Sequence, residues 1–240
     1  TAAATVYAGY CGLRCGGLAV LAGPMVLLLP WRGGCRVVAR ITARLLARLS
    51  GTPIVVHGLE HLAMEGPMIL VSNHQSYLDG FVLMAALPLR FGFVAKAELA
   101  GNPFLRRALT RIDVVFVERF DSRQAVEDAR RLREIAAGGR SLLFFAEGTF
   151  RRMPGLLPFH MGAFLTAVEN DMAVVPITIR GTRAKLRSES WFPRRGAVHL
   201  FIAPPLRGEG QGWEAALALR DETRRQILLH CGEPDSGGEP

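Results

Sequence analysis

Between Thr52 and Ile202 the chain carries seven short apolar runs: Ile54–His57, Met68–Val71, Phe91–Ala95, Val114–Val117, Ser141–Phe145, Val174–Ile179 and Val198–Ile202. Each has the length of a buried strand, and helical patterns lie between several of them. The clearest is Ser122–Ala137, with Asp121 and Ser122 at its start and Gly138-Gly139 at its end. Such alternation predicts an α/β domain with a mostly parallel central sheet flanked by helices. At 240 residues the chain is long enough for one domain of this kind with its own core. Half of it is hydrophobic, which excludes a disordered protein. His57 and His61 have no partners in the sequence that suggest ligation, and default to surface or core positions.

One stretch inside this frame carries chemistry. Met68-Ile69-Leu70-Val71 runs into a polar corner, Ser72-Asn73-His74-Gln75-Ser76, and helical apolar spacing resumes with Tyr77, Leu78, Phe81, Val82 and Leu83. Open α/β sheets gather their functional groups at the carboxyl ends of strands. His74 stands at such an end. Asp79 follows it closely, and a turn that feeds a helix would fold this carboxylate back toward the imidazole. A carboxylate on one ring nitrogen fixes the tautomer and leaves the other nitrogen as a base. A His and an Asp at this spacing are common by chance. The strand-end position, with Asn73 and Ser76 beside them, is what singles out this pair.

Asn73-His74-Gln75-Ser76-Tyr77-Leu78-Asp79 resembles the N-H-x-S-x-x-D block of the glycerolipid acyltransferases, the group that contains 1-acylglycerol-3-phosphate acyltransferase. Further blocks follow in the family's order. Lys96-Ala97-Glu98-Leu99, Pro103-Phe104 and the run ending Glu118-Arg119 resemble the second. Glu147-Gly148-Thr149-Phe150-Arg151-Arg152 resembles the E-G-T-R block, with Phe150 where arginine is usual. Leu157-Pro158-Phe159-His160 resembles a P-F-K segment, with His160 in place of lysine. Val174-Val175-Pro176-Ile177 resembles the fourth block, and its proline implies an edge or irregular strand.

The resemblance implies transfer of a fatty acyl group from acyl-CoA or acyl carrier protein to the free hydroxyl of 1-acylglycerol-3-phosphate, giving phosphatidic acid for phospholipid synthesis. It implies no cofactor beyond that co-substrate, and no metal. His74 would be the general base and Asp79 its orienting carboxylate. Lys96, Arg119, Glu147, Gly148, Thr149, Arg151 and Arg152 would position the acceptor, with oxyanion donors expected among backbone N–H groups near the helix after His74. The Phe150 departure leaves the head group open, so lysophosphatidylethanolamine or an amino-acid lysolipid stands as an alternative acceptor. A lipid or thioester hydrolase using Ser72 or Ser76 with His74 lacks a G-x-S-x-G elbow. A non-catalytic membrane-binding protein leaves His74, Asp79 and Glu147 without a task.

Charge is distributed unevenly. Residues 1–50 hold six arginines and no acidic residue, while the other 190 residues carry 23 basic against 21 acidic groups. An anionic partner surface at the N-terminal end follows, and lipid fits better than nucleic acid, because aromatic interleaving is missing. Gly16–Trp31 is uncharged and apolar; sixteen helical residues reach about 24 Å, short of a hydrocarbon core of about 30 Å. A re-entrant or one-leaflet segment is therefore expected, with a true span as its rival. Gly33-Gly34 reads as a break. Cys35–Ser50 then places Arg36, Arg40, Arg44 and Arg48 at i, i+4 spacing opposite an apolar face, the pattern of an interfacial basic helix. The organisation expected is a membrane-associated helical hairpin over 1–51, a catalytic domain over 52–230 that folds without the hairpin, and a disordered tail over 231–240. The expected location is the cytoplasmic face of the inner or cell membrane. The four cysteines fit no zinc or redox spacing and read as small hydrophobes in a reducing compartment.

Overall fold

The apolar runs become the strands of one sheet. In chain order the computed structural model has α1 (Ala2–Leu28), α2 (Arg32–Leu49), β1 (Ile54–His57), β2 (Met68–Ser72), α3 (Asp79–Ala86), β3 (Phe91–Lys96), α4 (Pro103–Arg111), β4 (Val115–Val117), α5 (Ser122–Ala137), β5 (Ser141–Phe145), α6 (Gly162–Glu169), β6 (Ala173–Arg180), α7 (Thr182–Lys185), β7 (Val198–Ile202) and α8 (Gly212–Cys231). It describes residues 2–88, 91–117, 122–186 and 194–237. The strand order is β1-β7-β6-β2-β5-β3-β4, parallel throughout except for the β6–β7 pair.

β2 lies at the middle, and all of its residues are buried. Its side chains alternate between the two faces, as the strand period requires. Met68 and Leu70 join the core formed with α3 residues such as Val82 and Leu83. Ile69 and Val71 join the opposite core, with Phe164 of α6 and Ile227 of α8. A strand covered on both faces by helices must be apolar at every position, hence the continuous run rather than an alternating one.

Pro176 does not lie on an edge, as its chemistry suggested, but on β6 in the sheet interior. Val71 of β2 is its parallel partner. Its carbonyl accepts from Ala203 N–H at 2.9 Å, on the β7 side. A strand residue's N–H and C=O point the same way, so the missing donor also faces β7. There the antiparallel ladder begins only at Ile177. The proline therefore costs the β2 ladder nothing.

The N-terminal hairpin also departs from expectation. α1 runs unbroken for 27 residues through Arg14 and Pro24, about 40 Å, well past the Gly16 start. Gly9–Leu28 is long and apolar enough to cross a membrane by length and composition. The break falls at residues 29–31, and Gly33 and Gly34 lie inside α2. They seat the Trp31 indole: a Cβ at position 34 would stand 2.7 Å from its Nε1. α2 also packs on the domain. Ala43 is buried in the core, and Arg44 Nε donates to Ala85 O of α3 at 2.8 Å.

The tail is ordered as far as residue 237. Leu156 N–H donates to Pro234 O at 2.9 Å, and Ser236 N–H donates to Leu156 O at 3.1 Å. Glu233 takes a bidentate pair from Arg183 at 2.5 and 2.9 Å. These bonds bind a Gly/Pro-rich segment that has almost no apolar surface to bury, which is why composition suggested disorder.

Candidate active site

The register of β2 and β5 builds the site. Ser72 pairs with Phe145, so His74 and Glu147 stand at the same level beyond their strand ends. Asn73 closes the third neighbour. Its fully buried amide mimics one more ladder step, donating to Ile179 O at 3.0 Å and accepting from Ile179 N–H at 2.7 Å. The chain then turns into α3, whose first residue is Asp79.

Asp79 is fully buried, and one oxygen does nearly all its work. Oδ2 accepts from Gln75 N–H at 2.6 Å and Ser76 N–H at 2.9 Å, and lies 2.8 Å from His74 Nδ1. Two backbone donors already treat this oxygen as an acceptor. The imidazole therefore presents Nδ1–H to it, and the lone pair is left on Nε2. The position at the first turn of α3 adds a favourable helix dipole for the buried anion. These bonds use the N–H groups of Gln75 and Ser76, two of the backbone donors near the start of α3 where oxyanion donors are expected. The neighbouring serine hydroxyls are likewise committed to backbone carbonyls. Ser72 Oγ donates to Asn73 O and Ser76 Oγ to Leu186 O, and both are buried.

The imidazole is walled by aromatics. Phe145 stacks on it at 4.2 Å between centroids, and Phe150 meets it edge-on at 4.5 Å. Tyr77, largely exposed, meets Phe150 in turn at 4.8 Å. The residue in the arginine position thus packs directly against the candidate base.

Glu147, expected to position the acceptor, spends both carboxylate oxygens on backbone N–H groups. Its carboxylate is buried and faces inward, with Oε1 accepting from His74 N–H at 2.6 Å and Oε2 from Leu157 N–H at 2.8 Å. It ties the His74 corner to the loop after β5. Burial pushes its carboxyl up to about 7, against the pull of these two N–H bonds, with Glu233 and Asp79 adding to the rise. Gly148 follows at φ +66°, a left-handed turn that a glycine adopts freely.

The basic candidates lie further out. Lys96 ends β3, half-buried on the same rim, two strands from β2 and so about 10 Å away across the sheet. Thr149, Arg151 and Arg152 are exposed. The loop carrying the two arginines is held by its backbone: Arg183 Nη1 donates to the carbonyls of both. Arg119 lies outside the described residues. Sequence reasoning missed the supports. Arg183 and Glu233 are 50 residues apart, and nothing in either local pattern signals the pair. His160 is exposed, and its backbone N–H donates to Ala146 O at 2.9 Å.

Comparison with known proteins adds to this geometry. The family model described as Acyltransferase matches residues 53–180. A chloroplastic 1-acyl-sn-glycerol-3-phosphate acyltransferase of Arabidopsis thaliana is 35% identical over 216 residues, covering 88% of this chain and 58% of its own length. Its counterpart alpha from Mus musculus is 28% identical and covers 79% of this chain and 67% of its own. A second chloroplastic relative, from Brassica napus, is 34% identical, and the chain spans 54% of its length. Among solved structures, the 1-acyl-sn-glycerophosphate acyltransferase PlsC of Thermotoga maritima superposes with a TM-score of 0.77 at 23% identity. That match covers 94% of this chain and 95% of the other, and shows a shared fold.

Proposed function

From the premise that the chain belongs to the glycerolipid acyltransferase family, we propose that it transfers a fatty acyl group from a thioester to the free hydroxyl of 1-acylglycerol-3-phosphate, forming phosphatidic acid. The observation that carries this reading is the His74–Asp79 pair at 2.8 Å, with Nε2 left free at the carboxyl rim of the sheet. An alcohol is a weak nucleophile until a base takes its proton. His74 Nε2 removes that proton as the hydroxyl oxygen attacks the thioester carbonyl. The C–S bond breaks, the thiolate leaves, and the imidazolium returns the proton to it. Asp79 holds the ring and stabilises its positive charge. The donor is already activated, so no enzyme nucleophile is needed. Acyl-CoA or acyl carrier protein serves as donor. Lys96, Arg151 and Arg152 supply charge for the acceptor phosphate.

The acceptor arrives from a membrane, and α1 is the surface that meets it. Val6, Leu13, Val20, Leu21 and Leu28 are strongly exposed. α1 is held to the rest of the chain near both ends: Tyr7 Oη donates to Ser50 O, and Arg111 Nε donates to Val26 O. A transbilayer α1 would drag both contacts, and the domain with them, into the hydrocarbon. These contacts favour a helix lying in the plane of one leaflet, and we assign it to the cytoplasmic face of the cell or inner membrane.

The test is acyl transfer from labelled acyl-CoA to a panel of lysolipids, with His74→Ala alongside. Lysophosphatidic acid should be acylated, and the variant should lose at least a hundredfold, about the least that a general base contributes. Turnover unaffected by His74→Ala would refute the base assignment. One observation favours a second acceptor: Phe150 fills the arginine position with an apolar ring against His74. Preference for lysophosphatidylethanolamine or an amino-acid lysolipid, shifted toward lysophosphatidic acid by Phe150→Arg, would establish that reading instead.

A further inference from the structure

The opposite pole of the sheet carries a second concentration of charge. Where β3 and β5 begin, a cavity of about 390 Å³ is lined by Arg32, Arg36, Gly92, Asp113, Arg140 and Ser141, among others. Three guanidiniums converge there on one carboxylate. Arg36 Nη1 is 2.8 Å from Asp113 Oδ2, and Arg140 Nη2 and Arg32 Nη1 lie 3.4 and 3.7 Å from Oδ1. Asp113 is nearly buried, and Arg36 Nε is buried with no hydrogen-bond partner. One carboxylate cannot neutralise three guanidiniums, so the lining keeps two positive charges and an unused donor. The site is distinct from the catalytic corner. The strands between them run five or six residues, about 20 Å.

The geometry points to a phosphate-binding site formed by Arg36, Arg140 and Arg32 around Asp113. Guanidinium forks match phosphate oxygens two at a time, and the excess charge in a partly enclosed cavity favours an anion. Its surroundings suit a lipid phosphate. Leu28 and Trp31, at the hairpin turn beside Arg32, are 81% and 60% exposed, an apolar edge next to the charge. Free phosphate has the same chemistry, so the experiment must separate the two sources. This inference does not depend on the acyl-transfer reading.

Binding of inorganic phosphate at constant ionic strength, and capture by phosphatidylcholine vesicles with or without phosphatidylglycerol, would be measured on the intact chain. The variants are Arg140→Gln and Asp113→Asn. Arg140 sits on the turn before β5, so its loss leaves the hairpin in place. Asp113 has φ +66°, which asparagine tolerates well, so that variant should fold, with melting temperatures as the check. Arg140→Gln should weaken binding by about tenfold, and Asp113→Asn, which removes the competing carboxylate, should strengthen it by a similar factor. A purely structural ion-pair network predicts no gain from Asp113→Asn. Response of inorganic phosphate alone to the variants assigns free phosphate, and response of vesicle capture alone assigns a lipid head group. If neither form of binding differs between the wild type and Arg140→Gln, or if Asp113→Asn weakens it, the site does not exist.

Discussion

At the scale of single residues, the chemistry turns on where four backbone N–H groups go. Gln75 and Ser76 donate to Asp79, while His74 and Leu157 donate to Glu147. Asp79 is thus a structural anchor as well as the partner of the imidazole. Asp79→Asn should lower kcat by about a hundredfold or more, with acceptor KM little changed, because an amide both loses the charge and offers the ring the wrong hydrogen-bonding partner. A larger loss in KM than in kcat would assign Asp79 to binding instead. Glu147 gives a pH signature. Its carboxyl lies near 7 in the fold against an ordinary value of 4.5. Between those values the folded chain keeps a proton that the unfolded chain has released. Stability therefore falls as pH rises through that window, by about 3 kcal/mol in all, and levels off above it. Urea unfolding at pH 5 and pH 8 should show the fall in the wild type and a flatter curve in Glu147→Gln; equal slopes would place the effect on another group. The His74–Asp79 pair was legible in the sequence because both ends lie in one turn. The inward aim of Glu147 was not, since its partner lies 73 residues away across the β2–β5 register.

At the scale of elements, strand positions were readable almost to the residue: inner strands such as β2, covered on both faces, are apolar throughout, while β1 and β7 alternate in burial. What lay beyond reading was how the terminal segment engages the site. Residues 233–236 cross the loop after β5. Glu233 accepts from Gly155 N–H at 2.7 Å and clasps Arg183, which holds the carbonyls of Arg151 and Arg152. Arg224 donates to Leu156 O and Leu157 O, and pairs with Asp235. The next N–H along, that of Leu157, supports Glu147 and through it the His74 corner. Removing residues 232–240 should lower acyl transfer by about tenfold or more, in line with the sensitivity of catalysis to small displacements. Amide exchange at Leu157 and His74 should quicken together. If exchange at His74 stays at the wild-type rate, the strap and the corner are independent.

At the scale of the whole molecule, the hairpin, the sheet and the tail form one continuous packing arrangement, and the interfacial surface grows out of it. Replacing Leu13, Val20 and Leu21 with serine removes exposed apolar side chains without touching the core, at about 1.5–3 kcal/mol of membrane burial each. Flotation with vesicles should drop sharply while melting stays near the wild-type temperature; unchanged flotation would move the membrane contact elsewhere. Sequence alone determined the fold class, the strands, the pairing of His74 with Asp79 and the acyltransferase family, because each rests on local periodicity or on motifs confined to a few residues. Tertiary structure alone decided that Pro176 sits in the sheet interior, that Gly33 and Gly34 seat Trp31, that Glu147 accepts from the His74 and Leu157 N–H groups, and that the tail is ordered through residue 237. Each of these depends on which distant group meets a backbone N–H or fills a space, and such pairings arise only once the strands have taken their register.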